Sequence, residues 1–197
     1  GLTSSAIAVI IGLVIGGTAG FAGGPVDFVL MRFVDLMMSV PTFFLMLLLV
    51  VILSPGAWVV VTVIALFGWT YPARIFRSQV LYVREQEYIV AARCIGARGR
   101  RIFLRHLLPQ VLPLMIVYLA LNIPTTIFAE ASLSFLGLGV PPPVPSWGSM
   151  IQSGMPYYRI APWVAFFPGM IISVTVICFN LLGTGLREAM DPTRRGQ

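Results

Sequence analysis

Residues 36 to 73 form a run of 38 positions without a single Asp, Glu, Lys or Arg, and residues 106 to 129 form a second such run. Between them, the segment from Arg74 to Arg105 holds eight of the thirteen basic residues. A soluble domain carries charge on about a quarter of its positions. Here charged residues are 10% and hydrophobic residues 58%, with a mean hydropathy of +0.93. The pattern predicts an all-α polytopic transmembrane bundle, one domain over residues 1–197, with the basic segment as a loop between spans.

A bilayer core takes about 20 apolar residues per helix, and the uncharged stretches divide into five spans on that basis. The first runs from Leu2 to Ala22. The stretch from Leu36 to Ala73 is too long for one helix, and Ser54-Pro55-Gly56 breaks it into an antiparallel hairpin of spans two and three. Span four is expected from Val111 to Ala129, closed by the charge of Glu130. Span five is expected from Pro162 to Gly183, closed by Arg187. Gly12, Gly16 and Gly20 stand at four-residue spacing in the first span, a small-residue face suited to close helix packing.

Short loops rich in arginine are retained in the cytoplasm. Five spans put residues 23–35, the 74–109 loop and the tail from Arg187 on one side, together carrying twelve of the thirteen arginines. Only Arg159 falls on the other side, in the 131–161 segment. This topology puts Gly1 outside, with no initiator Met and no basic leader region, so a sixth span is expected upstream.

All thirteen basic residues are arginine, and without a lysine no Walker A motif exists, so the chain is not itself a P-loop ATPase. One His and two distant Cys, Cys94 and Cys178, supply neither a metal site nor a catalytic constellation. No catalytic residue, bound cofactor, metal or nucleic-acid partner is expected. His106 reads as structural at the membrane surface.

Within the basic loop, Glu87 to Gly96 reads as a short helix stopped by a glycine able to take a left-handed cap. A second amphipathic piece, Arg100 to Leu108, is expected to end at Pro109. Ala91 and Ala92, followed by Gly96, leave a helix face of little bulk that another protein can approach closely. The surrounding arginines suit an acidic rim on that partner.

The run Ala91-Ala92-x-x-x-Gly96, then nine residues, then His106-Leu107-Leu108-Pro109 resembles the EAA loop of ABC importer membrane subunits. Met31-Arg32-x-x-Asp35, Leu133-Ser134-Phe135-Leu136-Gly137-Leu138-Gly139, Pro145-Ser146-Trp147-Gly148, Asn180-Leu181-Leu182-Gly183 and Leu186-Arg187-x-x-x-Asp191-Pro192 are similar to segments of the second permease subunit of the dipeptide, oligopeptide and nickel importers. The resemblance covers nearly the whole chain. It implies the membrane domain of a type I ABC importer in the bacterial inner membrane, translocating peptides.

The resemblance further implies that the 74–109 loop forms a coupling helix seated in a groove of a cytoplasmic ATPase, with Glu87, Ala91, Ala92, Arg93, Gly96, His106 and Pro109 as the coupling residues. Implied partners are a homologous second permease, two ATPase subunits holding ATP and Mg, an extracytoplasmic substrate-binding protein and membrane lipid. Two departures stand out: Val90 occupies the place of the family's acidic residue before the alanines, and Gln110 replaces the Asn that often follows the proline.

Glu130, near the outer end of span four, is a candidate for lining a translocation path. Asn122 and Asn180 are mid-span amides that either bond between helices or face that path. The Pro- and aromatic-rich stretch from Gly137 to Tyr158 cannot form a regular span, and either docks a binding protein or plugs the outer mouth. A secondary transporter or channel-like protein independent of an ATPase is the alternative. Such a transporter needs ion-coupling groups within the bilayer, and the spans contain no ionisable residue at mid-depth.

Overall fold

The computed structural model describes residues 1–190; Asp191, Pro192, Arg194 and Arg195 of the predicted tail lie outside the described residues. Helix α1 (Leu2–Ala22) coincides with the predicted first span and stops at Gly23, whose φ of +67° breaks the helical path. Helices α4 (Ala57–Gly68) and α5 (Thr70–Arg84) join through Trp69 into one apolar helix of 28 residues. α1 and α5 run parallel along the predicted glycine face: Gly12 meets Pro72, Gly16 meets Ala73, and Gly20 meets Arg77 and Val80. At the end of this seam the Arg84 guanidinium donates to the carbonyls of Gly20, at 3.2 Å, and Phe21, at 3.5 Å.

Helix α2 (Gly24–Ser39) follows directly, and helix α3 (Thr42–Leu53) leaves it at an angle of 81°. The expected straight second span is therefore a bent pair. Pro41 is the cause, because the ring of a proline pushes the preceding residue out of the helical region, and Val40 is extended at φ −100° and ψ 137°. The break between spans two and three lies where Ser54-Pro55-Gly56 places it, with Ser54 at φ +66°.

The ends of the other spans are also redrawn. The third continues past Ala73 to Arg84, so Arg74, Arg77 and Arg84 are helical rather than part of a loop. After helix α6 (Glu87–Cys94) and the short α7 (Gly99–Ile102), a π-helical turn over Phe103–Leu107 leads without a break into α8 (Leu108–Phe135). Pro109 thus does not end the second amphipathic piece. It occupies the first turn of α8, and the wider turn before it, in which the Leu108 N–H bonds to Phe103, accommodates a ring with no N–H to give. α8 runs through Glu130, and α10 (Trp163–Met190) runs through Gly183 and Arg187. An uncharged run marks the hydrocarbon boundary, and a helix has no reason to stop there when its backbone bonds remain internal.

Among the described residues, four helices are long and apolar enough to cross a membrane, and the α2–α3 pair makes a fifth. Between α8 and α10 the chain is irregular until helix α9 (Trp147–Gly154), which Ser146 and Ser149 start with a reciprocal capping box. Gly148 lies against the Ala131 backbone of α8 and Gly154 against α10, which sets α9 across the end opposite the basic one. The largest buried cluster, including Val9, Phe76, Val83 and Val111, ties α1, α5 and α8 together at the basic end.

Candidate functional site

α6 is the most distinct feature of the basic end. Gln86, extended at φ −68° and ψ 142°, turns the chain out of α5, and Glu87 opens the new helix. Its C-terminus is closed by a full Schellman motif. The Ala97 N–H bonds to Ala92 O at 3.0 Å and the Gly96 N–H to Arg93 O at 2.9 Å, with Gly96 left-handed at φ +82°. A side chain at Gly96 would meet nothing within 4 Å, so the cap glycine faces open space.

Ile89 is the buried anchor of α6. Its side chain joins the cluster with Val83 at the end of α5, Ile102 in α7 and Leu107 in the π turn. Val90, Ala91, Arg93 and Cys94 are exposed and Ala92 is half-buried. Ile95, at the cap, has 87% of its surface exposed. The helix therefore presents a small-residue face, held by a buried apolar pin at the junction of two spans.

The second piece of the predicted site comes close through aromatic contact. The Tyr88 and His106 rings lie 6.4 Å apart, and Gln110 stands near the Tyr88 phenol. Burial pushes the Tyr88 phenol above its ordinary range, against the opposing pull of the neighbouring Gln110 side chain. Glu87, Ala91, Ala92, Arg93 and Gly96 thus share one helix and its cap, with His106 beside them. Pro109 is exposed at the start of α8.

Ile89, Tyr88 and Gln110 are the residues sequence reading missed as contributors to this geometry. The available signal was the Tyr88-Ile89-Val90 run, the apolar stretch of so short a helix. The acidic residues of α2 were missed as well. Asp27 makes a two-pronged ion pair with Arg77, in which Nη2 to Oδ2 is 2.6 Å, and the carboxylate is 14% exposed. Asp35 accepts from Arg74 at 2.5 Å and has Arg32 at 3.8 Å.

The three predicted path residues are not brought together. Glu130 accepts a hydrogen bond from Ser134 at 2.7 Å and lines a cavity of about 370 Å³ with Ser4, Ser146 and Trp147, at the end opposite α6. Asn122 donates to Ser5 at 3.1 Å, linking α8 to α1. Asn180 donates to Val176 of its own helix at 2.9 Å and is otherwise exposed.

The profile of a family described as the inner membrane component of binding-protein-dependent transport systems matches residues 8–196. The chain belongs to that family. Among the relatives of this inner membrane component, the oligopeptide transport system permease protein OppC of Bacillus subtilis strain 168 is 40% identical over 195 residues, 99% of this chain and 64% of the relative. The dipeptide transport system permease protein DppC of the same organism is 39% identical over 196 residues, covering 99% and 61%. OppC of Haemophilus influenzae is 37% identical over 195 residues, covering 99% and 63%. The chain spans a little under two thirds of the length of these curated relatives. It is a multi-pass inner membrane protein with the membrane-domain fold of type I ABC importers.

Proposed function

We propose that the chain is the transmembrane permease subunit of an ATP-driven importer of peptides, and that it works with a homologous second permease, two cytoplasmic ATPase subunits that bind ATP and Mg, and an extracytoplasmic binding protein. The observation that carries the reading is α6: an exposed helix with a small-residue face, stopped by a rigid cap and pinned by Ile89 where α5 and α8 converge. Seated in a groove of an ATPase subunit at the cytoplasmic face, α6 acts as a lever. Because Ile89 packs on Val83 and Leu107, displacement of α6 reaches α5 on one side and α8 on the other. The chain supplies no nucleotide chemistry, and its contribution is to turn a push at one end into relative movement of the spans. The peptide substrate rests on the names of the relatives.

The test separates bulk from strain at Gly96. An Asn at φ +82° is tolerated better than other side chains, whereas Arg adds both strain and a large cation projecting from the cap. In pull-downs of the tagged full-length protein from mild detergent, wild type and Gly96→Asn are expected to retain a P-loop ATPase and a second permease, and Gly96→Arg to lose the ATPase. A wild-type protein that purifies without any ATPase would move a secondary transporter to the front.

A further inference from the structure

The importer reading leaves α2 without a task, and the structure gives it a specific one. α2 is bounded by a break at each end: Gly23 and Gly24, at φ +67° and +54°, separate it from α1, and extended Val40 with Pro41 separates it from α3. A helix between two such joints is free to swing unless side chains hold it. Buried Val34 packs against Ala8, Trp69 and Ala73, and two ion pairs to α5 add polar ties: Asp27 with Arg77 and Asp35 with Arg74.

The spacing of these pairs matters. At 1.5 Å per residue the two acids stand about 12 Å apart along α2, and the two arginines only about 4.5 Å apart along α5. The pairs therefore fan across a crossing of two helices. Without Asp27–Arg77, the Asp35 pair and the neighbouring buried Val34 would hold α2 mainly near its carboxyl-terminal part. Two pairs at different points along α2 fix its position and its angle together.

α5 is also the helix that runs through Glu85 and Gln86 into α6. Charged residues near the hydrocarbon persist where they are paired, and they mark working parts of membrane proteins. Resting on the importer reading above, we propose that Asp27, Arg77, Asp35 and Arg74 are positioning residues that make α2 move as one body with the lever helix α5. Displacement of α6 then reaches the bent second span through α5. The Arg32-x-x-Asp35 pattern follows from this arrangement, since Asp35 sits between Arg32 and Arg74.

The test uses the complete importer in proteoliposomes, reading peptide uptake and ATP hydrolysis separately for Asp27→Asn, Arg77→Gln and the reversed pair Asp27→Arg with Arg77→Asp. The single variants are expected to hydrolyse ATP at close to the wild-type rate while uptake per ATP falls about tenfold, a coupling loss of the size usual between linked sites. The reversed pair is expected to recover most of that loss. A helix that merely needed the pair to fold would lose assembly and hydrolysis together with uptake.

Single variants with wild-type uptake per ATP would overturn the proposal, as would a reversed pair that assembles normally without recovering uptake. Where the Asp27 or Arg77 variants fail to assemble, Asp35→Asn and Arg74→Gln, at the more exposed pair, are judged by the same criteria. Failure of the importer reading itself looks different, because the wild-type preparation would then contain no ATPase.

Discussion

At Gly16 the α1 backbone lies so close to α5 that a Cβ would stand 2.1 Å from the Ala73 carbonyl oxygen. No side chain can move aside there, because the obstruction is main chain. Gly16→Ala is expected to destabilise the bundle by about 1–3 kcal/mol through overpacking. Gly185→Ala, on a helix with nothing within 4 Å of the added methyl, is expected to be neutral or to stabilise by about 0.5–1 kcal/mol through backbone entropy. Tryptophan-fluorescence melting of the detergent-solubilised protein distinguishes the two, and equal melting temperatures would refute the contrast. The four-residue glycine spacing made this seam legible in the sequence, as the glycine after a short amphipathic run made the Gly96 cap legible. The Asp27–Arg77 pair was not, because its partners are fifty positions apart and neither has a local pattern that names the other.

The helical elements show where a charge pattern stops being informative. Uncharged runs located the spans, yet helices α5, α8 and α10 all continue beyond the last uncharged residue, since backbone bonding is indifferent to side-chain charge at the membrane boundary. Prolines needed more than position to be read. Pro41 bends the second span through the extended Val40, whereas Pro109 is absorbed by the π turn before it. With Pro41→Ala the steric bar on a helical Val40 disappears, and α2 and α3 are expected to straighten. Spin labels at the exposed Phe28 and Val51 would then report a longer separation than in the parent protein. An unchanged distance would mean that tertiary packing alone sets the 81° bend.

Across the described residues, packing is uneven: α1 and the continuous α4–α5 helix bury the largest share of their residues, while α10 buries few of its own. Asn180 lies on the exposed side of that helix, with an amide N–H spent on Val176. A side-chain carbonyl facing hydrocarbon is unfavourable, so this face is expected to meet the second permease. A photo-crosslinking residue at Asn180 should capture that subunit, and one at Leu48 of α3 should capture lipid; lipid adducts at both positions would place the interface elsewhere. The parallel course of α1 and α5 has an electrostatic consequence as well. Their peptide dipoles point the same way, so two carboxyl-terminal half-charges, together about one negative elementary charge, collect at the basic end. Arg84, which donates to the last carbonyls of α1 from the last turn of α5, stands at the point where both fields converge. Arg84→Gln is therefore expected to lower the melting temperature more than Arg101→Gln, although both remove one cation from the same face, and the difference should shrink in high salt as the combined field is screened.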